Sequence, residues 1–286
     1  MNVFFVCGAP KSGTTWLQRI LDAHPEVCCS GEGHFVERFT GPLARVLNAY
    51  NTQLTMETEQ VYEGEPVYKP VDQSELDELG RAFIMRRLTS RAEPGVRWVG
   101  DKTPRYTHQL PMLNRLFPQS RLINIVRDPR DVAVSRMGHS RRIGLTQVFT
   151  PGTQQNKEAI EAAITGWIEA VRLVDAFAQA HPGRVHELRY WELVEHPGES
   201  AQALFDFLGV STDPAVIDQV VAATSFEALS GGRKPGQEDA GSFLRKGVPG
   251  DWREHLDPEG VAAIEAACGD LMRQKDLPSP RVRRRA

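Results

Sequence analysis

The sequence predicts a single α/β domain over residues 1–286, with a central, mainly parallel sheet of about five strands flanked by helices. Three observations predict it. Four consecutive apolar residues, Val3 to Val6, lead into a glycine loop and then into a helix with Trp16, Leu17, Ile20 and Leu21 on one face. Strand-like runs recur at 26–29, 97–100, 122–126 and 185–190, with helical periodicity between them. The composition is ordinary for a globular chain, 41% hydrophobic and 25% charged, and long enough for a sizeable core.

Each element has a local reason. The first strand, 3–6, ends in Gly8-Ala9-Pro10-Lys11-Ser12-Gly13, and a helix from Thr14 stops at His24-Pro25 because the residue before proline disfavours the helical region. A short strand follows at 26–29. Loops at the carboxyl ends of parallel strands carry the chemistry, which places Glu32 and His34 where a reacting group would sit. Residues 38–92 are mostly helical, with apolar patches at Leu43/Val46/Leu47 and Leu76/Leu79/Phe83/Ile84. A polar, acidic stretch from Thr52 to Gln73, with Pro66 and Pro70, reads as a long surface connection between them. The region of about 38–95 is expected on the acceptor side of the site. The third strand, 97–100, is followed by a loop carrying Lys102, then by a helix ending before Pro118. The strand 122–126 leads to Arg127; Asp128 is a good N-cap and Pro129 suits the first helical position. Ser135 then lies about two turns along that helix. Gly138 to Asn156 lacks periodicity and reads as a lid or loop, before a long helix at 157–180 with Trp167 in the core. A strand at 185–190, helices at 199–208 and 214–222, a glycine-rich loop at 241–252 and a last helix at 258–275 complete the chain.

A strand, a glycine loop and a helix N-terminus form a cradle for an anion, with backbone N–H groups and the helix dipole directed at it. The nucleotide-triphosphate pattern has lysine directly after the second glycine. Here Thr14 holds that position and the lysine is Lys11, so the P-loop-type geometry is kept while the ATPase signature is lost. Arg127 and Ser135 can grip a second phosphate, the arginine through a bidentate fork. Arg245 and Lys246 beside Gly247 form a further anion grip.

These motifs resemble, in order and spacing, the PAPS-dependent sulfotransferase superfamily, where PAPS is 3′-phosphoadenosine 5′-phosphosulfate. Pro10-Lys11-Ser12-Gly13-Thr14-Thr15-Trp16 resembles the 5′-phosphosulfate loop. Arg127 with Ser135 resembles the 3′-phosphate motif. Leu188-Arg189-Tyr190 and Thr224-Ser225-Phe226 are similar to segments that flank adenine, and imply adenine contacts for Tyr190, Thr224 and Phe226. Arg245-Lys246-Gly247 with Gly250-Asp251-Trp252 resembles the loop that closes on the 3′-phosphate.

The resemblance implies sulfuryl transfer to a hydroxyl or amine, with Lys11 offsetting charge on the leaving phosphate and Thr14 or Thr15 helping. Lys102 is then placed to assist at the sulfuryl oxygens. Proline stands at 104 where the small-molecule enzymes carry their histidine base, leaving His108 four residues on. The front third instead resembles tyrosylprotein and heparan-type sulfotransferases: His24-Pro25, then Gly31-Glu32, then Glu32-Gly33-His34-Phe35. In both relatives that glutamate is the base, which favours Glu32 over His108, with His34 beside it. Competing classes are a P-loop kinase using ATP and magnesium, and a non-catalytic nucleotide-binding module.

A net charge of −3 gives no reason to expect nucleic acid. The basic tail, 278–286, reads as a solvated end. Cys7, Cys28, Cys29 and Cys268 have no metal spacing, and no metal is expected. Reduced cysteines, the lack of an 18-residue apolar run and a phosphate loop close to Met1 lead to the expectation of a soluble cytoplasmic protein without a membrane anchor. The acceptor stays open among small molecule, glycan, lipid and peptide, as does the oligomeric state.

Overall fold

The structure is a computed structural model that describes residues 1–239, 241–242 and 244–277; the basic tail and Phe243 lie outside the described residues. The elements run β1 (Asn2–Cys7), α1 (Thr14–Asp22), β2 (Val27–Gly31), α2 (Gly41–Val61), α3 (Gln73–Leu88), β3 (Trp98–Lys102), α4 (Leu110–Leu116), β4 (Arg121–Val126), α5 (Pro129–Arg142) and α6 (Gln154–Ala180). They continue with β5 (Val185–Arg189), α7 (Tyr190–Glu195), α8 (Pro197–Leu208), α9 (Pro214–Ala223), α10 (Phe226–Ser230), α11 (Trp252–His255) and α12 (Pro258–Gln274). All strand pairs are parallel, in the order β2-β3-β1-β4-β5. The expected α/β architecture is therefore present.

The central strand β1 shows why both faces are covered. Phe4 and Val6 pack with Leu17, Ile20 and Leu21 of α1 and with Leu204 and Phe205 of α8. Val3, Phe5 and Cys7 point the other way, onto Ile84 and Leu88 of α3 and Leu113 of α4. A third cluster joins Val126, Val132 and Met137 to Trp167 of α6 and Ile264 of α12. Trp167 is thus core, and its indole N–H also donates to the Arg127 carbonyl at 2.8 Å.

Four boundaries differ from the sequence reading. The stretch expected as a connection from Thr52 is helical to Val61, so the connection is only 62–72. The period was invisible there because α2 has no buried residue. The stretch expected as a lid begins as helix: α5 runs on to Arg142, with its buried face ending at Gly138. Lys102 closes β3 rather than lying on the following loop, because β3 is flanked on both sides and every residue in it is buried. Tyr190 opens α7 instead of ending β5.

Candidate active site

At the carboxyl edge of the sheet, loops after β1, β2 and β4 and the 244–248 segment enclose a cavity of about 630 Å³. That is the size range of small-ligand sites. It is lined by Lys11, Gly13, Thr14, Thr15, Trp16, Glu32, His34, Arg127, Ser135, Tyr190, Phe226, Arg245, Lys246 and Gly247. Positions as far apart as Lys11 and Gly247 are thus brought to one surface.

The β1–α1 loop is shaped for an anion. Gly13 is the N-cap of α1 at φ 101°, and no side chain caps the helix. The Trp16 N–H turns back to the Gly13 carbonyl at 3.0 Å, and the Thr14 and Thr15 N–H groups are left for a ligand. A Cβ at Gly13 would lie 2.8 Å from the Tyr190 ring, so Tyr190 closes directly on the loop. The Arg127 guanidinium carbon lies 4.3 Å from the centre of the same ring. Burial and the Arg142 charge hold the Lys11 ammonium below the usual lysine range, with Glu32 acting the other way.

Glu32 is held from three sides. Its Oε1 accepts from Lys102 Nζ at 2.6 Å, its Oε2 lies 3.5 Å from His34 Nε2, and its N–H donates to the Lys102 carbonyl at 2.7 Å. Burial pushes the carboxyl up, but the Lys102 bond and charge, with His34, leave it below the usual carboxylate range. Three of the five non-glycine residues with positive φ in the described structure are Lys11 (78°), Glu32 (50°) and His34 (46°). Such conformations carry strain and persist where surrounding contacts enforce them.

Buried Asp101 supplies those contacts. It accepts from Gly33 N–H at 3.0 Å, from Thr103 Oγ1 at 2.8 Å and from Tyr106 Oη at 2.8 Å. Gly33 lies between the two strained residues, so Asp101 pins the loop that presents Glu32.

The far wall is tied down by residues that sequence reasoning missed. Asp131 of α5 accepts from Gly250 N–H at 2.8 Å and Trp252 N–H at 3.1 Å. Its distance to Arg127 is 3.9 Å, so its main task is to hold the last loop onto α5. Arg233 donates to the Leu244 and Arg245 carbonyls at 2.6 and 3.0 Å. Arg245 and Lys246 share Asp251 as partner, and Asp251 lies with Glu254 and His255 in one acidic cluster. Arg136, His139 and Arg142 also line the cavity and were not singled out by sequence. A helical tally of α5 beyond Ser135 would have found them.

Three expected ligands are placed differently. The Thr224 hydroxyl donates to Val220 O at 2.7 Å within its own helix, and only the Thr224 carbonyl reaches Trp16, at 2.8 Å. Its side chain is thus turned away from the cavity. Ser12 is fully buried behind the loop, with no hydrogen-bond partner for its Oγ. Lys102 meets the cavity through Glu32. His108 is exposed on a 3₁₀ turn (Pro104–Gln109) and is not in the lining. No residue from 35 to 103 lines the cavity either, so the segment expected on the acceptor side stands apart from it. Asp128 caps α5 as expected and also binds Arg130 at 2.6 Å.

The model of the sulfotransferase family matches residues 4–214. The chain belongs to the sulfotransferase family. Among curated relatives it is 27% identical to the protein-tyrosine sulfotransferase 2 of Gallus gallus, over 80% of this chain and 62% of that protein. It is 28% identical to a putative protein-tyrosine sulfotransferase of Caenorhabditis briggsae, over 72% of this chain and 65% of that one. The chain thus spans less than two thirds of the length of these relatives. A mouse sulfotransferase complexed with PAP shares the fold at TM-score 0.58 and 21% identity, covering 96% of this chain and 86% of that one. The sulfotransferase domain of a Synechococcus olefin synthase does so at TM-score 0.61 and 21% identity, covering 98% and 96%.

These relatives correct one expectation. Protein-tyrosine sulfotransferases are Golgi membrane enzymes, which overturns the cytoplasmic placement drawn from cysteines and the N-terminus. No helix among the described residues is long and apolar enough to cross a membrane.

Proposed function

We propose that the chain transfers a sulfuryl group from PAPS to an acceptor hydroxyl, with Glu32 as general base. The observation that carries this reading is the Glu32–Lys102–His34 cluster set in the same cavity as the anion cradle. The residues of the cavity wall fit the donor. Arg127 Nε is buried without a hydrogen-bond partner, in a wall that also presents Ser135, Arg245 and Lys246. An orphaned guanidinium donor beside further cations is what a phosphate on the ribose 3′ position would satisfy.

When bound, PAPS supplies the sulfuryl group and leaves as the bisphosphate, PAP. Glu32 takes the hydroxyl proton as the acceptor oxygen bonds to sulfur and the sulfur–phosphate oxygen bond breaks. Lys11 and the Thr14 and Thr15 N–H groups of α1 offset the charge that grows on the departing phosphate. Lys102 keeps Glu32 ionised and oriented. Arg127, Ser135, Arg245 and Lys246 hold the 3′-phosphate. Phe226 and Tyr190 flank the base. Arg136 and Arg142 favour an acceptor with negative charge beside its hydroxyl, and a tyrosine among carboxylates, suggested by the relatives' names, meets that demand. Against a kinase stands Asp128, the acid after β4, which is engaged by Arg130; a kinase needs such an acid for its ion.

Calorimetry with PAP, and separately with ATP and magnesium, tests the donor; tighter ATP binding would return the site to the kinase reading. Transfer of labelled sulfuryl from PAPS to an acidic tyrosine peptide tests the reaction. Glu32→Gln should lower kcat by about 100-fold or more, the usual contribution of a general base, with PAP affinity kept. A wild-type rate in that variant removes Glu32 from the chemistry.

A further inference from the structure

The chain holds five tyrosines, and their surroundings differ. Tyr106 is buried and donates to Asp101, and Tyr190 lies in the cavity wall. Tyr50, Tyr62 and Tyr68 are exposed. Within five positions of Tyr50 the one charged residue is Arg45. Tyr68 has Glu63, Glu65 and Asp72 that near, but also Lys69 beside it. Tyr62 has Glu57, Glu59, Glu63 and Glu65 and no basic residue. All four of those carboxylates are exposed.

The fold sets Tyr62 at the end of an arm. It follows directly on α2, which is 21 residues long and therefore carries it about 30 Å along the helix from Gly41. Beyond it the chain turns through Glu63 (φ 55°) and Gly64 (φ 89°). Gly64 N–H donates to the Thr58 carbonyl and Glu65 N–H to the Tyr62 carbonyl, each at 2.9 Å. The phenol thus stands at a tight turn with carboxylates on both sides. The cavity has the complementary charge. Lys11, Arg105, Arg136 and Arg142 line it, and Arg136 and Arg142 are near enough to Lys11 to press its ammonium down. Charges so arranged steer an acidic segment toward the site.

We propose that Tyr62 is itself an acceptor, sulfated by a second copy of this chain. The inference rests on the reading of the cavity as a sulfotransferase site for tyrosine among carboxylates. Tyr62 Oη of one copy bonds to the sulfur of PAPS held by another. The bond from that sulfur to the phosphate oxygen breaks, PAP leaves, and the phenolic proton passes to Glu32 of the copy that holds PAPS. Tyr62 becomes a sulfate monoester. Transfer runs between copies because no residue from 35 to 103 lines the cavity of its own chain. It needs an encounter for one turnover and no lasting assembly.

The test is mass spectrometry of proteolytic peptides from the full chain after incubation with PAPS, with a free acidic tyrosine peptide in the same vessel. The expected result is the mass of one sulfuryl group added at Tyr62. Tyr62→Phe should lose that label and still sulfate the free peptide at the wild-type rate, since Tyr62 lies outside the cavity. A tagged Glu32→Gln chain alone should label about 100-fold more slowly or less; mixed with wild type it should be labelled at Tyr62. Glu63→Gln with Glu65→Gln should slow labelling about tenfold at low salt. A sulfated free peptide beside an unmodified Tyr62 overturns this inference and leaves the tyrosine-acceptor reading standing. With neither modified, both fall. Label at Tyr50 or Tyr68 in place of Tyr62, a Glu32→Gln chain that stays unlabelled beside wild type, or labelling indifferent to the two glutamine replacements overturns it as well.

Discussion

Replacing Asp101 by Asn removes one acceptor from a site that uses both. Thr103 and Tyr106 both donate to Oδ2, at 2.8 Å each, while Gly33 N–H donates to Oδ1 at 3.0 Å and Oδ2 at 3.2 Å. The amide will keep its oxygen at the Oδ2 position, where it satisfies two hydroxyls. Its NH2 then faces the Gly33 N–H, donor against donor. The N–H loses its shorter contact and keeps only the approach to the Oδ2 position at 3.2 Å against the new repulsion, a loss bounded by the roughly 1–3 kcal/mol of an unpaired N–H. The loop can escape that cost by relaxing Glu32 and His34 out of the left-handed region, which itself releases roughly 1–2 kcal/mol per residue. The competent loop should thus lose population by about 5- to 150-fold, at roughly 1.4 kcal/mol per factor of ten. The assay is kcat at saturating PAPS and acceptor, paired with calorimetry for PAP. The expected result is kcat reduced within that range and PAP affinity unchanged, since Asp101 does not line the cavity. An unchanged kcat would show that this bond does not position the base. A parallel loss of PAP affinity would show a general collapse of the edge.

Other outcomes follow from the same geometry. Lys102→Met leaves burial of Glu32 opposed by His34 without the lysine, so its carboxyl rises and the acid limb of kcat/KM moves to higher pH. The sign follows because the base must be deprotonated; a limb that stays put or moves down would refute the pairing as the cause. Gly247→Ala places a Cβ 2.2 Å from the Phe226 ring at φ 70°, which the ring must yield to. A cost of about 1–2 kcal/mol from the backbone alone should weaken PAP roughly tenfold by calorimetry, and undiminished affinity would separate Gly247 from the cofactor wall.

Several parts of this protein are local and were legible in the sequence. The strand, loop and helix from Val3 to Ala23 need only an apolar run, two glycines and one amphipathic face. Asp128 and Pro129 announce α5 because capping is a matter of neighbouring residues. Arg245, Lys246 and Gly247 announce an anion grip by their adjacency. Helix α2 was harder. A helix that buries nothing has no core-facing apolar period to read, and Thr52 to Val61 reads as a connection on that account.

What the chain could not announce is whatever depends on sheet order. Glu32 and Lys102 are 70 residues apart and become partners because β2 and β3 are parallel neighbours, with Gly31 in register with Lys102. The same register lets Asp101 reach Gly33. Asp131 meets Gly250 only after α5 has packed beside the last loop. Thr224 shows the converse, a motif residue whose hydroxyl is claimed by its own helix. The sequence by itself determined the anion cradle and the elements that frame it, because hydrogen bonding and burial within a few residues suffice. Only the tertiary structure decided which carboxylate is held at the cradle's edge and by what, because that choice is made by strand pairing across distances no local pattern records.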